Sequence, residues 1–191
     1  MSEMLEIRWH GRGGQGGKTA VFMLAESLVE QGKYAQGFPD YGPERMGAPV
    51  RGYNRISDET GTLHCGVNSP GIVVVLDDTL IAGSDVVSGL KPDGKVLVNS
   101  TESPQEIRKR LGVKDATVYT VDATGIALEE IGKPIPNSPM IGALLKITNL
   151  AEIDKMAKLV GKKFEGKLSA KAVAGNITAM KRAYEEVKSD Q

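Results

Sequence analysis

The run Gly11-Arg12-Gly13-Gly14-Gln15-Gly16-Gly17 constrains this chain more than any other feature. Ahead of it, Leu5, Ile7 and Trp9 alternate with Glu6 and Arg8, the period of two of a half-buried strand that stops at His10. Behind it, Val21, Leu24, Ala25, Leu28 and Val29 share one stripe of a helix from Thr19 to Glu30, closed by Gly32. Strand, glycine turn and helix in that order open an α/β sheet, and the helix N-terminus presents N–H groups that can hold a phosphate or carboxylate.

The unit repeats downstream. Gly71 to Leu76 is apolar at almost every position and ends in Asp77-Asp78, Val96 to Val98 ends in Asn99-Ser100-Thr101, and Val118 to Val121 ends in Asp122-Ala123-Thr124. Apolar strands capped by polar residues before helices predict an α/β fold with an open, doubly wound, Rossmann-like sheet. Helices are expected over 140–149, 151–160 and 170–187, the last with a seam of Val173, Ile177, Met180, Tyr184 and Val187. Between Tyr34 and Ser69 the helical period vanishes into a Gly- and Pro-rich stretch, read as an irregular insertion of the kind that often carries function. Within it Val50 to Ile56 fits an edge or antiparallel strand with Arg51, Tyr53 and Arg55 on one face. With 191 residues and no linker-like tract, one domain over 1–191 is expected.

Composition removes several classes. The 24 basic side chains balance 24 acidic ones, which argues against a nucleic-acid scaffold. The single cysteine, Cys65, cannot by itself hold an iron-sulfur cluster or a thiolate zinc site. No apolar run approaches the ~18 residues of a membrane span, so the expected compartment is the cytoplasm.

The candidate motifs each have a plainer reading. Gly11-x-Gly13-x-x-Gly16 fits the dinucleotide fingerprint, but the acidic residues that follow, Glu30 and Asp40, fall in a helix and in the irregular stretch rather than at the end of a second strand. Gly17-Lys18-Thr19 mimics the end of a P-loop whose first glycine would have to replace Arg12. The glycines alone suit a tight turn, whereas Arg12 and Gln15 are not required by one. Arg51, Tyr53 and Arg55 suit either a nucleotide-stacking face or a solvated strand. His10 and His64 lack the neighbours of a metal site or catalytic triad, and Asp77 and Asp78 are better explained as caps than as divalent-ion ligands. No catalytic residue and no metal ligand is expected in this chain.

Four segments carry a likeness: Gly11-Arg-Gly-Gly-Gln-Gly16, Phe38-Pro-Asp-Tyr-Gly-Pro-Glu-Arg-Met-Gly-Ala-Pro49, Arg51-Gly-Tyr-Asn-Arg55 and Pro136-Asn-Ser-Pro-Met-Ile-Gly-Ala143. In this order, over nearly the whole chain, they resemble the gamma subunits of the 2-oxoacid:ferredoxin oxidoreductases, and Tyr41 to Pro49 leans toward the pyruvate-specific members. The resemblance implies an obligate hetero-oligomer with alpha, beta and delta subunits, serving ferredoxin through the complex, with thiamine diphosphate, Mg2+ and [4Fe-4S] clusters held by the partners. The whole complex would convert pyruvate, coenzyme A and oxidised ferredoxin to acetyl-CoA, carbon dioxide and reduced ferredoxin. No cofactor would be bound by this chain alone. Coenzyme A would enter a cleft lined by Gly11, Arg12, Gly13, Gly14, Gln15 and Gly16, with Arg12 and Gln15 as polar contacts. Asp40, Tyr41, Glu44, Arg45 and Arg51, and more weakly Asn137 and Met140, would shape the junction with the thiamine-bearing subunits. The rivals are a gamma subunit for 2-oxoglutarate, 2-oxoisovalerate or indolepyruvate, and a stand-alone nucleotide-binding module.

Overall fold

Four strands set the frame: β1 (Leu5–Arg12), β4 (Ile72–Val75), β5 (Lys95–Asn99) and β6 (Thr117–Val121) lie side by side in parallel. The structure, a computed structural model, describes residues 4–40, 46–58 and 65–191. Beyond β1 the sheet continues antiparallel through β3 (Pro49–Ser57) to β2 (Tyr34–Asp40), and β7 (Lys188–Ser189) closes the opposite edge, giving the order β2-β3-β1-β4-β5-β6-β7.

Helices cover both faces because the strands are apolar on both. On one side α1 (Gly17–Val29), α4 (Ala123–Ile131), α5 (Asn137–Thr148), α6 (Ile153–Phe164) and α7 (Ala170–Glu186) enclose Ile7, Trp9, Ile72, Val74 and Leu97. On the other, α2 (Leu80–Gly83) and α3 (Pro104–Leu111) pack Leu80 and Ile107 onto Val73, Val75, Val96 and Val98. Ser103 and Glu106 form a capping box at the start of α3, satisfying N–H groups that the helix itself cannot. The open α/β sheet wound in both directions is thus the observed fold.

The Gly/Pro-rich stretch differs from its expectation. Residues 34–40 and 49–57 pair as a hairpin rather than running irregularly, and β3 is the antiparallel strand that one of its two readings offered, placed inside the sheet between β2 and β1 and not at an edge. Its glycines serve close approach. A methyl on Gly37 would stand 2.7 Å from the Val21 carbonyl oxygen, and one on Gly52 would stand 2.8 Å from Val21 Cγ2, so α1 rests on a bed of bare backbone. Asn54 closes this contact, accepting from Trp9 Nε1 at 2.8 Å and donating to the carbonyls of Val21 and Gln36.

The seam expected on α7 is also displaced. Its buried positions are Gly175, Asn176, Ala179, Met180 and Ala183, with Ile177 and Tyr184 only flanking them. Small residues win there because the helices nearly touch: a methyl on Gly142 would collide with the Met180 carbonyl, and one on Gly175 with that of Glu130. The helix docks on its own domain through α5 and α4. Among the described residues no helix is long and apolar enough to cross a membrane.

Candidate functional site

The chain leaves β1 toward β2 through α1 and later returns to β4 on the other side, so the winding reverses between β1 and β4. In open α/β sheets a ligand crevice forms outside the strand ends at such a point. Here the C-terminal ends of β1, β2 and β4 and the N-terminal end of β3 meet, which brings sequence-distant segments to one rim. A cavity of about 470 Å³ opens there, lined by the glycine turn, Lys18, Asp40, Arg51 and the apolar Trp9, Met46, Val50 and Leu76.

The turn is ordered by two backbone hydrogen bonds and one carboxylate. Gly13 donates to the Ala48 carbonyl and Gly47 to the Gly13 carbonyl, extending the β1–β3 pairing past the strands. Asp77, at the end of β4, accepts from Arg12 Nε at 3.1 Å and from Gln15 Nε2 at 2.8 Å, and from both the N–H and the hydroxyl of Thr79. Gln15 Oε1 in turn accepts from the Arg12 N–H. Burial pulls the Asp77 pKa up, but the hydrogen bonds from Thr79 and Gln15 and the Arg12 charge outweigh it and hold the carboxyl below its usual range. Arg12 and Gln15, expected as ligand contacts, are therefore committed within the protein, with Arg12 also reaching the Gly47 carbonyl and Thr79. The organising role of Asp77 was hidden in sequence because its partners lie 62 and 65 residues away.

The backbone of the turn is left donor-rich. Gly14 (φ 99°) and Gly16 (φ 77°) are left-handed, and Gly16 caps α1 without a side chain. The N–H groups of Gly14, Gly16, Gly17 and Thr19 have no acceptor among the described residues, and no acidic residue sits in the first turn of α1. Successive N–H groups over such a nest, backed by the helix dipole, favour an anion.

The remaining candidates divide. Arg51 is exposed on the cavity wall, and Asp40 accepts from the Tyr53 hydroxyl at 3.1 Å. Asp40 does end the second strand, as a ribose-binding acid would, but β3 intervenes and shifts it one strand away from the turn. Tyr53 and Arg55 are 7% and 3% exposed, so the basic stacking face is reduced to Arg51. Burial, the Asp40 charge and the hydrogen bond to Asp40 raise the Tyr53 pKa, with Arg51 opposing. His10 lies buried beside Arg8, whose Nε donates to it, and desolvation with the Arg8 and Arg51 charges lowers its pKa to about 3. A neutral, hydrogen-bonded imidazole there is a packing element.

Asn137 stands against Gly16 at the mouth of α5. Met140, one turn on, is wholly buried in the main core, which corrects its expected place at a subunit junction: it has no surface to offer a partner. Tyr41, Glu44, Arg45 and His64 lie outside the described residues.

Comparison with known proteins follows the same lines. The sequence pattern of the pyruvate ferredoxin/flavodoxin oxidoreductase family matches residues 6–186. The chain is 46% identical to the pyruvate synthase subunit PorC of Thermotoga maritima, over 97% of this chain and 96% of the relative. It is 42% identical to the common gamma subunit of the pyruvate and ketoisovalerate oxidoreductases of Pyrococcus furiosus, over 96% and 97%. The crystal structure of the T. maritima subunit superposes with a TM-score of 0.88 at 44% identity, covering 99% of both chains. The same fold occupies 31% of the 2-oxoglutarate:ferredoxin oxidoreductase chain of Magnetococcus marinus, with a TM-score of 0.76 at 20% identity. A match over nearly the full length leaves one conclusion: this chain belongs to the pyruvate ferredoxin/flavodoxin oxidoreductase family.

Proposed function

We propose that this chain is the gamma subunit of a pyruvate synthase and that its glycine turn holds the phosphate end of coenzyme A. The observation that carries the second half is the set of unclaimed N–H groups at Gly14, Gly16, Gly17 and Thr19, of which the three glycines line a 470 Å³ cavity. The complex would convert pyruvate, coenzyme A and oxidised ferredoxin to acetyl-CoA, carbon dioxide and reduced ferredoxin, with thiamine diphosphate, Mg2+ and [4Fe-4S] clusters on alpha, beta and delta partners. This chain's part is to bind and orient the carrier and to exclude water, since a fixed thiol converts an encounter into a near-unimolecular step. Arg12 and Gln15 act indirectly, by pinning the turn to Asp77. Asp40 and Arg51, on the cavity wall, would face the thiamine-bearing subunits, and Tyr41, Glu44 and Arg45 are assigned to the same junction by the resemblance alone.

A second reading has a specific observation behind it. The Pyrococcus relative is named as common to pyruvate and ketoisovalerate enzymes, which fits a chain whose cavity meets the shared carrier and not the 2-oxoacid. On that reading this subunit serves more than one 2-oxoacid and selectivity lies with its partners.

The test is the assembled, anaerobically purified complex carrying Lys18→Glu, assayed by pyruvate- and coenzyme A-dependent viologen reduction. A carboxylate in the first turn of α1 should raise the KM for coenzyme A at least about tenfold and leave the KM for pyruvate unchanged. An unchanged coenzyme A dependence contradicts the assignment of the turn.

A further inference from the structure

A second cavity, of about 260 Å³, opens beside Leu80 and Ser84 at the two ends of α2 and is lined also by His10. It shares Asp40, Val50 and Arg51 with the cavity at the glycine turn. Alternation along β1 separates the two: Ile7 and Trp9 pack on the α1 side, so Arg8 and His10 face the other way, and Arg51, the ladder partner of His10, lies on their side. The cavities therefore meet across the end of β3, where one extended ligand can reach into both.

Two guanidinium groups bear on this second cavity, and neither is in an ion pair among the described residues. Arg8, 6% exposed, gives its hydrogen bonds to neutral acceptors, the His10 imidazole and the Val86 and Ser88 carbonyls, and the Asp85 charge acts on it only from beyond contact. Arg51 is exposed and hydrogen-bonds the Tyr53 hydroxyl. The depressed pKa of His10 registers both positive charges. Asp40, the one acid among the described lining residues, stands opposite Arg51 in the β2–β3 ladder and accepts from that same hydroxyl. A guanidinium fork with donors to spare, backed by a buried positive charge, suits a phosphomonoester, which is largely doubly ionised at neutral pH and pairs with arginine in bidentate fashion. The backbone donors of the turn suit a diphosphate instead. Coenzyme A carries both groups, one ribose apart.

We infer that the cavity at Arg51 holds the phosphomonoester of coenzyme A, the 3′-phosphate on its ribose, with Arg51 as the direct contact and Arg8 as the buried charge behind it. The inference rests on the reading of the glycine turn as the site of the carrier's diphosphate. Dephospho-coenzyme A keeps the diphosphate and lacks only the phosphomonoester, so the two ligands tell the two cavities apart. The experiment measures the Kd of each ligand for the assembled, anaerobically purified complex by isothermal titration, in the wild type, Arg51→Gln and Lys18→Glu. The wild type should bind coenzyme A at least about tenfold more tightly than dephospho-coenzyme A. Arg51→Gln should erase most of that preference by weakening coenzyme A alone, whereas Lys18→Glu should weaken both ligands and keep the preference. Equal affinity of the wild type for the two ligands overturns the inference. So does a loss in Arg51→Gln that falls equally on both, the result expected if Arg51 serves only to order β3 or to meet a neighbouring subunit. If Lys18→Glu leaves both affinities unchanged while Arg51→Gln still removes the preference, the phosphomonoester site stands and the reading of the turn falls.

Discussion

Asp77 is the residue on which the site depends, because one carboxylate gathers Arg12, Gln15 and Thr79 from two segments. Asp77→Ala removes the acceptor and leaves those donors to water or to nothing, and should lower stability by about 1–3 kcal/mol in denaturant titration. The sign with pH follows from the depressed folded-state pKa: the contribution is fully present above the unfolded value of 3.8 and is lost as pH falls through the lower folded value. The wild-type chain should therefore lose more stability than Asp77→Asn on acidification below about pH 4, and parallel acid unfolding curves would refute it. His10, with a pKa near 3, should show imidazole NMR shifts that stay constant across neutral pH. None of this was readable from local sequence. Asp77 looked like a strand-end cap, and Arg12 and Gln15 looked like ligand contacts, since nothing nearby in the chain announces a partner on the next strand.

At the scale of elements, β1, α1 and the three later parallel strands were legible, because period-two and period-3.6 apolar patterns act locally. Of the β2–β3 hairpin, β3 was legible as an antiparallel strand at 50–56, while β2 was not. Gly37 and Gly52 weaken strand propensity and read as loop, yet they are glycines because α1 lies directly on them. Gly37→Val should consequently lift α1 from the sheet and cost about 1–3 kcal/mol, visible as a lower melting temperature of the purified subunit. The same logic explains the misplaced α7 seam: large apolar residues mark a helix face in sequence, but the tight crossing with α5 selects Gly142 and Ala179 instead. Met140→Ala, which empties a fully buried place in the core, should cost about 2–5 kcal/mol. A much smaller loss would mean the side chain is not the core element its burial indicates.

For the whole molecule, the topology explains how a chain with a lone cysteine takes part in redox chemistry. Reversal of winding at β1 and β4 creates a rim where the backbone donors of the glycine turn converge, the feature on which the proposed coenzyme A site rests. Met46, 93% exposed, adds an apolar group to the lining of the same cavity. The most direct test is amide hydrogen exchange on the assembled complex with and without coenzyme A. The account expects slowed exchange across residues 13–19 when the carrier is added, with no change along β7 at the far edge. Unaltered exchange through the turn in a complex whose activity saturates with coenzyme A would contradict it.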